Sequence, residues 1–367
     1  MTDWDVLSDK MEKLEVEEKK NEKNWNNLPD EMKKKIIKRM TFETRAQLKM
    51  CSKADKKLVE SVLITGMYLE LRAVPGCFID PYLEYGYDLW EITLEIWSKF
   101  DNLSLEIGMN EDVIYIKRTT KHKNGVPQWS NNDKQIPCSN MEDDKKFVEN
   151  IIKSIIFDGN YRFNYLTVFI DYPGFLDNID FTIHAKEVVI NDLNKQTLGL
   201  LRKLAPRVQY FRACTGRGKC CFLENFGTIP AVVNAARLET DNDCDINDEQ
   251  LLNFKCTHLR VSGSSNITGK GMNQLIKKAL ANDYPIKTRF LIRIKYKYVL
   301  NDIWKEICEG LNVEGVGSTD YPIVEFGRGQ RERRHGTIRM GKNKQMTIAV
   351  DPCHNYSCFK AEIIAKS

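Results

Sequence analysis

The sequence has no run of about 18 apolar residues, so it offers no segment of the length an ordinary membrane-spanning helix requires. Residues 1–24 are rich in Lys and Glu and lack the apolar core of a secretion signal, so an unsecreted protein of the cytosol or nucleus is expected. The 11 cysteines are odd in number, contain no Cys-x-x-Cys pair and stand singly apart from Cys220-Cys221. That pattern excludes a small-domain disulfide framework and fits reduced thiols. Only five histidines occur, His122, His184, His258, His335 and His354, and none sits in a recognisable nucleophile–base phrase.

Other chemical signatures are missing in the same way. Gly216-Arg217-Gly218-Lys219 lacks the spacing of a phosphate loop, and Cys220 stands where that loop needs Ser or Thr. Cys353, His354 and Cys358 supply three zinc-type ligands with no evident fourth. Asp241, Asp243 and Asp245 have the alternation of a calcium loop without its Gly and closing Glu. The reading is a chain without catalytic residues, metal or cofactor: a non-enzyme.

What is present is a chain of 367 residues, 42% hydrophobic, enough for two or three domains with their own cores. The formal charge of +4 is small, but it is unevenly spread. Residues 31–60 hold ten Lys/Arg against four Asp/Glu, and residues 325–344 hold seven against two, so the remainder is net acidic.

Leu28-Pro29-Asp30-Glu31-Met32 has the grammar of a helix start, with Pro near the first turn and carboxylates facing the positive end of the macrodipole. Met32, Ile36, Ile37 and Met40 then gather on one stripe, with Lys33, Lys34, Lys35, Lys38 and Arg39 on the other face. Residues 41–44 turn the chain into a second helix carrying Phe42, Leu48 and Met50. Ser52-Lys53-Ala54-Asp55 reads as a capping-box variant opening a third helix, with Leu58, Val59 and Val62 directed inward. Three short helices in under 40 residues make a marginal core, which is the physical reason to expect a docking module; a helical cap on the following domain is the plainer alternative.

The order Leu28-Pro29, Glu31-Met32, Ile36-Ile37, Met40, Phe42, Thr44-Arg45, Leu48, Cys51-Ser52-Lys53 and Leu58-Val59 resembles the F-box, in the form common to the large nematode F-box families. The resemblance implies binding to the Skp adaptor of a Skp–cullin–F-box ubiquitin ligase, and through it to a cullin scaffold. Carried onto this sequence, the adaptor contacts are Leu28, Pro29, Met32, Ile36, Ile37 and Leu48, with Leu58 and Val59 divided between packing and contact. Met32 stands where Ile or Val is commoner.

After residue 65 the character changes. Short alternating runs at 67–72, 89–97, 103–107 and 113–118 predict a strand meander, and the polar stretch 119–140 predicts a long loop. From 141 onward strands and helices alternate at 20- to 30-residue spacing: helices at 141–157, 195–204, 247–253 and 269–281, strands at 165–170, 187–190, 208–212, 236–240, 258–261 and 288–294. This predicts an irregular leucine-rich-repeat-like β/α horseshoe, with an open α/β sheet of another topology as the alternative. A helix at 300–311 and strands near 323–326, 337–340 and 345–350 predict a C-terminal strand hairpin or three-strand cap, with Arg328, Arg331, Arg333 and Arg334 on its connecting loop. The expected layout is a charged tail at 1–24, the helical module at 25–65, meander and loop at 66–140, and the β/α domain with its cap at 141–367, an α+β to α/β chain overall.

Asp245 to Leu252, Leu259-Arg260-Val261-Ser262, Asn266-Ile267-Thr268 and Met272 to Lys277 resemble the F-box-associated, or FTH, domain of the same families. Lys278-Ala279-Leu280 departs from the Trp and Leu often found there. The resemblance implies that this domain captures a protein substrate. The function so read is an adaptor subunit of a ubiquitin ligase, with no membrane partner. The alternative is a nucleic-acid-binding protein whose basic helices and Arg-rich loop grip phosphates.

Overall fold

The computed structural model describes residues 25–40, 42–76, 89–97, 101–109, 113–122, 134–137, 141–156, 161–170, 181–191, 195–214, 225–241, 246–263, 265–295, 300–321, 331–352 and 356–366. Two compact units, Met1–Ile64 and Thr65–Ser367, divide the chain. The expectations for residues 1–24, 216–220, 242–245, 323–328, Cys353 and His354 lie outside the described residues.

The first unit holds a 3-10 turn at Trp25–Asn27 and three helices, α1 (Asp30–Ile37), α2 (Phe42–Cys51) and α3 (Lys53–Ser61). Helix α1 starts behind Pro29, whose extended ψ of 146° precludes a further helical turn, and its first turn carries Asp30 and Glu31. Ser52 caps α3: its hydroxyl accepts from the Asp55 amide at 3.0 Å. Helices α1 and α2 both pack on α3.

The second unit is built on one sheet, which counts 15 strands among the described residues. Strands β1 (Ile64–Gly76), β2 (Leu89–Trp97), β3 (Asp101–Met109), β4 (Val113–His122) and β5 (Lys134–Pro137) form an antiparallel meander. The meander is amphipathic with period two: Met67, Leu69, Leu71, Leu94, Ile96, Leu105 and Ile107 are buried, while Tyr68, Glu70 and Arg72 alternate with them. Of the stretch 119–140 expected as loop, residues 119–122 and 134–137 are strand. Polar residues pair here because β4 offers an unsatisfied edge, which outweighs their low strand propensity.

Helix α4 (Met141–Ile156) leads into the strand–helix series: β6 (Tyr161–Ile170), β7 (His184–Asn191), α5 (Lys195–Arg202), β8 (Tyr210–Cys214), α6 (Pro230–Val233), β9 (Arg237–Thr240), α7 (Asp248–Asn253), β10 (His258–Val261), α8 (Gly269–Ala281), β11 (Arg289–Lys295) and α9 (Leu300–Cys308). Strands β6 to β11 are parallel and neighbour one another in sequence order. Parallel strands added in one direction, each by a crossover of the same hand, place their connecting helices on one face. Burial follows that rule. Phe211, Leu238, Leu259 and Phe290, aligned across β8 to β11, are at most 3% exposed. Their strand neighbours Tyr210, Arg237, His258 and Arg289 point to the face without helices and are half-buried or exposed. Burying each such Phe or Leu side chain contributes about 1.5–3 kcal/mol.

Successive helices are joined by polar locks. Asn247 and Gln250 form a reciprocal capping box at the start of α7. Asp248 accepts from the Thr268 amide at 2.8 Å and its hydroxyl at 2.6 Å, tying α7 to the start of α8. Lys278 on α8 donates to the carbonyls of Leu252 and Phe254 at 2.6 and 2.9 Å, and buried Asn273 donates to those of Ile307 and Glu309, both at 2.8 Å. The Lys278 and Asn273 bonds satisfy carbonyls at helix ends, and the Asn247–Gln250 and Asp248–Thr268 bonds satisfy backbone N–H groups at helix starts.

The C-terminal strands differ from the expected hairpin cap. Four antiparallel strands, β12 (Val313–Tyr321), β13 (Arg331–Met340), β14 (Lys344–Pro352) and β15 (Tyr356–Ala365), extend the same sheet, with β15 returning to pair with β11. Arg331, Arg333 and Arg334 therefore lie on a strand and not on a connecting loop. Their charge masked the strand in the sequence, and cross-strand pairing restores it.

Candidate functional site

In the helical unit, the apolar stripe of α1 divides. Ile37 is fully buried and Met40 half-buried, whereas Met32 and Ile36 are 46% and 39% exposed. Pro29 is exposed and Leu28 half-buried; Leu48 and Leu58 are half-buried, and Val59 is 4% exposed. Of the eight expected contact residues, Ile37 and Val59 thus hold the unit from inside, and the other six leave surface to offer. Met50 adds a large exposed apolar side chain at 79%.

Asp55 fastens this unit in a way the sequence did not reveal. Its carboxylate accepts from the Trp25 indole N–H at 2.8 Å and from the Ser52 hydroxyl at 2.7 Å. These two hydrogen bonds, and more weakly the Lys33 ammonium, hold the Asp55 carboxyl below the usual carboxylate range. The same Lys33 ammonium stands 5.7 Å from the centre of the Trp25 ring. Trp25, the first described residue of the unit, is therefore pinned to the start of its last helix. The i, i+3 phrase from Ser52 to Asp55 signalled the cap, but nothing local could have signalled Trp25, 30 residues away.

A family model described as F-box domain matches residues 25–65. F-box domains bind the Skp adaptor of Skp–cullin–F-box ubiquitin ligases, so the match supports a ligase-adaptor role in general terms. No curated protein and no solved structure matches the chain.

Behind the F-box, the helix-free face of the second unit carries rows of polar side chains. One row runs Glu187, Tyr210, Arg237, His258, Arg289 and Glu362 across β7 to β11 and β15; the next runs Arg212, Glu239, Arg260, Leu291 and Lys360. Most cations have a carboxylate beside them: Arg237 with Glu239 at 2.5 Å, Arg289 with Glu362 at 2.9 Å, Arg212 with Asp241 at 3.6 Å, Arg333 with Asp351 at 2.8 Å, and Lys360 also with Asp351. Among the described residues, Arg260 has the Ser262 hydroxyl at 2.9 Å and no carboxylate at ion-pair distance.

These surroundings set the protonation of the row. Burial pushes the Glu239 carboxyl up, but hydrogen bonds from Arg237 and from the Tyr210 hydroxyl at 3.0 Å outweigh it and leave the group below its ordinary range. Desolvation, then the guanidiniums of Arg237 and Arg289 on either side, lower the His258 imidazole pKa. Burial raises the Cys256 thiol to about 12 and Cys308 to about 11, so neither is a thiolate nucleophile. Asp241 is the ion-pair partner of Arg212, and among the described residues no group of three His, Cys, Asp or Glu side chains is placed to hold a metal. No helix of the described residues is long and apolar enough to cross a membrane.

Sequence reasoning singled out neither row. A signal was available: the phrases Tyr210-Phe211-Arg212, Arg237-Leu238-Glu239, His258-Leu259-Arg260 and Arg289-Phe290-Leu291 all place polar, apolar and polar or mixed residues with period two at the strand spacing.

Proposed function

We propose that this chain is a substrate-recognition subunit of a Skp–cullin–F-box ubiquitin ligase, itself non-catalytic, which binds the Skp adaptor through its F-box and presents a protein substrate through the unit behind it. The observation that carries the reading is the F-box match at residues 25–65, joined to the exposure of Met32 and Ile36 on its first helix. Leu28, Pro29, Met32, Ile36, Leu48 and Leu58 form the contact surface, with Ile37 and Val59 supporting it from within. Desolvating such an apolar patch is what a helical groove on a partner supplies. The resemblance of segments between Asp245 and Lys277 to the F-box-associated domain supports substrate capture by the second unit, and the singly spaced cysteines support the cytosol or nucleus. Ubiquitin transfer belongs to other subunits, reached through a cullin.

The nucleic-acid reading has less support, because several of the cations it invoked already have partners. Arg333 is paired with Asp351, Arg334 donates to Asn301 at 3.1 Å, Lys34 meets Glu31 at 3.1 Å, and Lys49 and Lys56 share Glu60. Phosphates would have to compete with those partners before counterion release could follow.

Co-purification with a recombinant Skp adaptor tests the proposal. The full chain is expected to bind, and Leu28→Ala with Pro29→Ala to weaken binding by at least ~2 kcal/mol, roughly thirtyfold. A wild-type chain that does not bind, or a double variant that binds at full strength, overturns it.

A further inference from the structure

On the helix-free face, where β11 meets β15, β14 and β13, the sheet holds a trough of about 880 Å³. Its volume lies within the range of ligand pockets, roughly 300–1,000 Å³. Two registers cross it: Arg289, Glu362, Thr347 and Thr337, and Leu291, Lys360, Ala349 and His335. The central side chains, Thr347, Ala349 and Thr337, are short, which is what opens the concavity. Four strands at about 4.8 Å spacing make it roughly 14 Å across, the length of about four residues of extended chain.

Its charge is one-sided. The lining side chains include three cations, Arg289, Arg333 and Lys360, together with His335, against the single carboxylate of Glu362. Asp351, one register step away, holds Arg333 and Lys360 but leaves the site with a net positive charge. Arg260, hydrogen-bonded to Ser262 and beside Glu239 in the register, adjoins Leu291 in the next strand. The Arg289 and Lys360 side chains are 62% and 50% exposed, so both can turn from their present partners to an incoming anion. Gly317, opposite His335 on β12, makes room for that ring: a Cβ there would lie 2.8 Å from Nε2.

We propose that this trough is where the substrate protein is held, and that it takes a short extended acidic segment, with carboxylate side chains on Arg289, Lys360 and Arg333 and an apolar side chain over Leu291 and Ala349. The inference rests on the reading of the second unit as the substrate-binding part. Guanidinium groups match carboxylates with paired hydrogen bonds, which favours Asp and Glu as the recognised residues. A nucleic-acid strand fits the site less well, since among the described lining residues the aromatic rings are His335 and the buried Phe290, which make no row of platforms for successive bases.

The test uses the full chain and fluorescent octapeptides in which Glu alternates with Leu, read by anisotropy, with a Gln-for-Glu peptide and an oligo-dT strand as comparators. Binding of the Glu peptide at least tenfold tighter than of the Gln peptide is expected. Lys360→Glu with Arg289→Ala should abolish the preference, and Lys360→Arg should retain it. Thr347→Phe, which fills the trough without changing its charge, should also block the peptide, and unchanged thermal midpoints should show that each variant is folded. Equal binding of the two peptides, undiminished binding by the folded variants, or preference for oligo-dT overturns the proposal. Skp co-purification is measured on the same samples: peptide binding without Skp binding removes the ligase reading alone, and the converse removes this site alone.

Discussion

Asp55 shows how much one carboxylate can organise. It receives the Trp25 indole and the Ser52 hydroxyl while its own amide donates to Ser52, so the charged form is favoured and its pKa is lowered. A carboxyl whose folded pKa lies below its unfolded value, about 3.9 for Asp, stabilises the fold above that value, and the contribution is lost as pH falls below it. Trp25→Phe removes the first of these bonds. The Asp55 pKa, followed by NMR on the side-chain carbon, should rise toward the ordinary value, and acid unfolding of the helical unit should begin at higher pH than in the wild type. An unchanged Asp55 titration would show that the indole contact has no energetic weight. The cap itself was legible in the sequence from Ser52 and Asp55 three residues apart, but the indole partner was not, because a contact across 30 residues leaves no local trace.

Between elements, the residues that carried the resemblance to the F-box-associated domain prove to be those that lock one helix to the next. Asn247 and Gln250 cap α7, Asp248 binds the Thr268 end of α8, and Asn273 closes α9. Gly271 is part of the same joint: a Cβ added there would come within 2.0 Å of Asp248 Oδ1. Gly271→Ala should therefore displace the carboxylate and cost about 1–3 kcal/mol by overpacking, measured as a lower urea midpoint with an unchanged slope. Strand and helix periods alone located β10 and α8 to the residue. They missed α6, four residues long, and β12, where Gly315 at φ +63° and the register shift between Glu314 and Gly317 break the period of two. That bulge, with Val316 54% exposed beside it, also disrupts the regular row of hydrogen-bonding groups that an edge strand would offer to another chain.

For the molecule as a whole, the chain divides after Ile64 into a helical unit and a sheet unit, and the adaptor reading assigns one partner to each. Deleting residues 1–62 should abolish Skp co-purification while the remainder still unfolds cooperatively and binds the acidic peptide; a shortened chain that aggregates instead would make the helices a protective cap and not a docking module. The sequence by itself determined the F-box, because its helix starts, caps and apolar stripe are encoded within 40 residues, and it determined the alternation of strands and helices, because each has its own period. It did not determine that Ile37 and Val59 are buried while Met32 and Ile36 stay exposed, since one stripe on a helix serves core and surface alike. Nor could it place Arg289, Lys360, Arg333 and His335 around one trough. Those residues meet only because β15 returns antiparallel to β11 and carries β14 and β13 beside it, and strand order is fixed by long-range pairing that no local pattern records.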